Sequence, residues 1–209
     1  MIGCYRRDQQ QKSSLAFLPT PPPATAGSQP GSGDTDQLSG AGGMLGRNHS
    51  RKVRLMCWQC ENPNAPIEDY LDELRGMIED HGWAVQFVES ENRPFAYTVG
   101  LHDRGLPELL ITGLPPDVST RVLNSLAHMI VDDGIVLGPA MHIDYQDRFL
   151  IEVVEVENPD VHLKFAIGLF GPQVRALQLV WADDRGRWPW DFDWDNGRRW
   201  QAVLGIRST

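Results

Sequence analysis

The apolar positions first fall into a helical rhythm at Ile67, Tyr70, Leu71, Leu74 and Ile78. Steps of three and four place them on one stripe. Pro66 suits a first helical turn, Glu68 and Asp69 favour the positive helix start, and Gly82 supplies a stop. The spacing predicts a helix over 66–81. The period then drops to two. Trp83, Val85 and Phe87 alternate with Ala84, Gln86 and Val88, which predicts a strand. Phe95 to Val99 and Glu108 to Thr112 are two more strand-like runs, separated by Gly100 to Pro107.

Pro115-Pro116-Asp117 opens a second helix. Val118, Val122, Leu126, Met129 and Ile130 line its face and Gly134 ends it. Ala140 to Tyr145 and Phe149 to Val156 read as a hairpin around Gln146-Asp147-Arg148. Asn158-Pro159-Asp160 starts a short third helix to about Phe170, and Val174 to Trp181 forms a last long strand. Asp183-Asp184-Arg185-Gly186 is a turn into Trp188-Pro189-Trp190. Strands and helices do not alternate one for one. That order predicts an α+β fold with a mainly antiparallel sheet and two to three packed helices.

Residues 1–50 break the pattern. Pro19-Thr20-Pro21-Pro22-Pro23 is followed by Gly, Ser, Ala and Asp with few large apolar residues. Such a stretch cannot bury enough surface to offset its ordering entropy. It is expected to be a disordered tail, or an extension upstream of a start at Met44 or Met56, with a single α+β domain over 56–209.

Charge sharpens the division. Residues 1–55 carry a net +4, which leaves −13 of the overall −9 on residues 56–209. An acidic domain repels phosphate backbones, so nucleic acid is not the expected partner. No apolar run reaches the roughly 20 residues of a membrane span. The stretch Leu15 to Leu18 is too short for a signal-peptide core. The expected location is cytoplasmic, and the three cysteines do not make a disulfide framework.

Cys57-Trp58-Gln59-Cys60 is the sharpest chemical motif. Two thiols two residues apart can share a metal ion, cycle as a dithiol, or pack as small apolar groups. A zinc site needs further ligands, and His81 and His102, each at a turn beside a strand, are the candidates. His81 also has a structural use at a helix C-terminus, where a ring N–H or a cation satisfies free carbonyls.

Taken together, Cys57-Trp58-Gln59-Cys60, His81-Gly82-Trp83, Phe95-Ala96-Tyr97-Thr98-Val99-Gly100-Leu101, Pro107-Glu108-Leu109 and Asp184-Arg185-Gly186-Arg187-Trp188-Pro189-Trp190 carry a resemblance. From about Met56 to Asp191 the chain resembles a bacterial family catalogued as domain of unknown function 4262. The family lends no activity. Its members often place His directly before Pro-Glu-Leu; here that position is Leu106, with His102 four residues upstream.

Glu108 reads as a general base or, more simply, an exposed edge residue. Gly100 permits close approach by a ligand, or a bulge. Trp181, Trp188, Trp190, Trp194 and Trp200 make either a recognition platform or a clamp on the C-terminal segment. Asp183, Asp184, Asp191, Asp193 and Asp195 lack the regular calcium-loop spacing and read as solvated turns. The expected function is a binding or accessory domain for a small molecule or protein. Its ligand site would lie between Tyr97, Thr98, Gly100 and Glu108 on one side and Trp188 and Trp190 on the other. The proline between these indoles is expected to hold an extended backbone that points both to one face. The competing expectations are a flavin-binding oxidoreductase of split-barrel layout, and a toxin or regulator acting through its N-terminal tail.

Overall fold

The computed structural model describes residues 2–5, 64, 66–89, 93–146, 149–198 and 200–207. Cys57 and Cys60 lie outside them. So does the expected disordered tail, apart from Ile2–Tyr5.

Strand β1 (Ile2–Tyr5) is followed by helix α1 (Ile67–His81). Gly82, at φ +87, closes α1 by donating its N–H to Ile78 O at 2.7 Å. Next come β2 (Ala84–Val88), β3 (Phe95–Val99) and β4 (Glu108–Thr112), then α2 (Pro116–Val131). β5 (His142–Tyr145) and β6 (Phe149–Val156) form the expected hairpin. The expected third helix is two pieces, α3 (Pro159–His162) and α4 (Lys164–Phe170). Leu163 leaves helical geometry between them and buries its side chain under the sheet. β7 (Ala176–Trp181) and the two-residue β8 (Gly205–Ile206) complete the chain.

The strands make one sheet in the order β1-β2-β3-β4-β7-β6-β5, with β8 pairing β6 beyond the end of β5. All neighbours are antiparallel except β4 and β7, which are parallel. The fold is α+β, as the element order predicts. β4 and β7 are buried along their whole length. That matches the unbroken apolar character of central strands covered on both faces.

Alternation along the strands sorts the core into two layers. Leu109, Ile111, Leu177, Leu179, Ile151 and Val153 meet Val122, Leu123 and Leu126 of α2. Tyr97, Val99, Leu110 and Ala176 turn the other way, towards Tyr70 and Leu74 of α1 and Phe165 and Ala166 of α4.

Over β7 and β6 that second face is crossed by the C-terminal segment. Two buried glutamines attach it. The Gln178 amide donates to Ala202 O at 2.6 Å and accepts from Leu204 N at 2.7 Å. The Gln201 amide accepts from Trp181 N at 2.9 Å and donates to Trp181 O at 2.8 Å. Each amide thus imitates the donor–acceptor pair of a neighbouring strand.

Gly205 sets how closely this segment approaches. A Cβ there would sit 1.8 Å from Glu155 O. Gly205→Ala should therefore unzip β8 and cost roughly 1–3 kcal/mol in urea unfolding. Gly76, exposed in mid-α1 with nothing near an added Cβ, is the control. Gly76→Ala should stabilise by about 0.5–1 kcal/mol.

Candidate functional site

The expected site residues fall in two separate places. The first is the β3–β4 junction. The β3–β4 pairing stops at Tyr97–Leu110, and the Glu108 carboxyl fills the gap that follows. Thr98 Oγ1 donates to Glu108 Oε2 at 2.6 Å while accepting from Leu109 N at 2.8 Å. Gly100 N and His102 N donate to Glu108 Oε1 at 2.8 and 3.1 Å. Glu108 is 0% exposed. The exposed-edge reading is therefore wrong. A side chain at the start of a strand reads as an edge residue only when the loop before it does not fold back over it.

Gly100 is at φ +121. A Cβ there would press on Ile78 and on the backbone of Trp83 at 3.0–3.1 Å. The close approach that needs glycine comes from the chain itself. Tyr97 is buried as well, and its hydroxyl accepts from Phe165 N at 3.3 Å. Tyr97, Thr98, Gly100 and Glu108 are thus interior groups. Leu106 packs against the α2-side core.

Burial pushes the Glu108 carboxyl up from 4.5 to about 7, although the bonds from Thr98, His102 and Gly100 pull it down. A folded-state value above the unfolded one means that the native state holds a proton which the unfolded chain has released. The resulting stability is complete below about pH 4.5 and is lost as pH rises towards 7.

His81 closes α1, and His102 opens a single turn of 3-10 helix, His102–Arg104. The His102 ring lies 5.6 Å from that of Phe170. Among the described residues no three His, Cys, Asp or Glu side chains come together as a metal site.

The second place is the turn after β7, and Asp183 builds it. Its carboxylate accepts from Arg185 N, Arg187 N and Asp195 N at 2.9–3.0 Å and from Arg187 Nη2 at 2.6 Å. Arg187 also pairs with Asp193. Asp183 is buried, which corrects its reading as a solvated turn residue. Burial alone would raise its carboxyl, but the bonds from the Arg187 side chain and from three backbone N–H groups outweigh that and hold it well below the usual range.

From this anchor the chain enters a tight turn. Asp191 N donates to Trp188 O at 2.8 Å, and Asp191 Oδ2 accepts from Trp188 N at 2.8 Å. The Trp188-Pro189-Trp190 backbone is therefore not extended as expected. Proline at the second position of a turn favours the bend instead. The indoles still share a face. Their rings stack at 5.4 Å and 13°.

The stack lies over the β5–β6 side of the sheet. Arg207 places its guanidinium 3.9 Å from the Trp190 ring centroid. The same guanidinium forks onto buried Glu152 at 2.8 and 3.1 Å. His142, opposite Glu152 across the β5–β6 pair, meets Trp188 edge-on at 5.6 Å. β4 and β7 lie between β3 and β6 in the sheet. The stack accordingly belongs to β6 and not, as expected, to the strand end at Tyr97 and Gly100. Trp181 and Trp194 are core residues, and Trp200 rests on both. The five tryptophans divide into a packing group and a surface pair. His142, Glu152 and Arg207 were not foreseen. An acidic residue at the centre of the apolar run Leu150 to Val154 was the one available sign of a buried ion pair.

The family described as Domain of unknown function (DUF4262) matches residues 77–195. The chain belongs to this family. Neither the curated proteins nor the solved structures give a match. The DUF4262 match takes in both the Glu108 junction and the tryptophan turn, and stops short of Arg207. No helix among the described residues is long and apolar enough to cross a membrane.

The Glu108 carboxyl should make the protein roughly 3 kcal/mol less stable at pH 7.5 than at pH 4.5 through this group alone. Glu108→Gln should flatten that part of the profile, as measured by urea unfolding across the range. An unchanged slope in the variant would assign the pH dependence to other groups.

Proposed function

We propose that this DUF4262 protein is a binding domain that engages its partner through the Trp188–Trp190 turn. One observation carries the reading. Two tryptophans, partly exposed and stacked face to face, belong to neither apolar cluster of the core. Large indoles kept out of the core, on a turn made rigid by a buried carboxylate with several donors, are what a recognition surface needs. Phe192, two residues beyond Trp190, is 90% exposed, and Ile206, beside Arg207, is 69% exposed. Large apolar side chains left in water on this turn and on the adjoining strand favour a macromolecular partner over a small one.

A binding role also agrees with the state of Glu108. Both of its oxygens are taken up by the chain's own donors, and none of its surface reaches solvent. A general base must come within hydrogen-bond reach of a substrate proton.

Stability measurements separate recognition from packing. Trp181 is the internal standard, since it is part of the core. Trp181→Ala should cost roughly 3–5 kcal/mol. Trp188→Ala should stay within about 1 kcal/mol of the parent, and Trp190→Ala should lose little more than its contact with Arg207, about 0.5–1 kcal/mol. A loss at Trp188 as large as that at Trp181 would make the pair a structural clamp and remove the reading.

A further inference from the structure

We propose that the partner of the tryptophan turn is an arginine-bearing protein segment, which lays a guanidinium on Trp188 as Arg207 already lies on Trp190. The inference rests on the binding role and names the chemistry of the ligand.

The stack itself shows what it accepts. Arg207, Trp190 and Trp188 form a short ladder with a planar cation at one end. Guanidinium suits an indole face because it is flat, weakly hydrated and always charged. Trp188 is the far end of that ladder, partly exposed, with the His142 ring edge-on to it.

Electrostatics point the same way. Arg207 is already paired with Glu152 and adds little net charge to the face. Residues 56–209 carry −13, so a cationic segment is drawn towards this domain and an acidic one is repelled. Asp184 is exposed in the turn that follows β7, and the Asp193 side chain is 65% exposed where it meets Arg187. Phe192 and Ile206 supply apolar contact for the rest of such a segment.

The test uses the full chain and two peptides of equal length and charge, one alternating Gly and Arg, the other Gly and Lys. Binding is followed by tryptophan fluorescence and by ring-current shifts of the peptide side chains. The Arg peptide should bind saturably, and the Lys peptide several-fold more weakly. Trp188→Ala leaves the protein charge unchanged, so general attraction persists in it. It should still weaken the Arg peptide about 5- to 10-fold and abolish the upfield shifts. Trp188→Leu, which keeps apolar bulk without the indole face, should do the same. Equal binding of the two peptides, or undiminished binding by both variants, would overturn the proposal. If the peptides fail while Trp188→Ala melts like the parent, only the ligand class falls. If Trp188→Ala has lost stability on the scale of Trp181→Ala, the binding role beneath it falls too.

Discussion

The parallel pairing of β4 with β7 is the constraint on which this structure depends. β2 to β4 come from one stretch of chain, with β1 added from residues 2–5, the β5–β6 hairpin comes from another, and β7 joins them. Both central strands are buried throughout, so each needs cover on two faces. α2 supplies one face. The other is shared between α1 with α4 and the C-terminal segment. That division of labour gives the two places their different characters. Under the helices, the β3–β4 junction is sealed, and Glu108 organises backbone. Over β6, where a thin segment replaces a helix, charged and aromatic side chains reach the surface.

Much of this was legible in the chain. Periodicity located α1, β2, β3, β4, α2 and the β5–β6 pair, because each carries an amphipathic pattern with clear stops. What periodicity could not give was the partner of each strand. Nothing in Ala176 to Trp181 says that it inserts between β4 and β6. Nor could it find β8, which is two residues long and held by side-chain amides as much as by its own pairing. Gln178 and Gln201 read as polar interruptions until their partners are known.

The candidate site was half legible. The motif around Trp188 and Trp190 stood out by composition, and both indoles do lie on a common surface. Their location was wrong, since adjacency across the sheet depends on strand order and not on motif content. Glu108 stands out by its chemistry, but its burial does not follow from its place at the start of a strand. The hydroxyl of Thr98 and two loop amides enclose it, and only a closed loop shows that. Arg207 and His142 come from distant stretches and meet at Glu152 and the tryptophan stack. No local pattern links them.

The C-terminal segment bears on where this domain begins and ends. The family match closes at residue 195 and opens at residue 77, inside α1. A chain cut at those limits would lose Tyr70 and Leu74 from one core layer. It would also strip Gln178 of Ala202 and Leu204, and Glu152 of Arg207. A buried amide and a buried carboxylate would be left without their main partners, a heavier penalty than the lost apolar area suggests. Contacts that hold both core layers and the buried polar groups therefore extend beyond the family match at both ends.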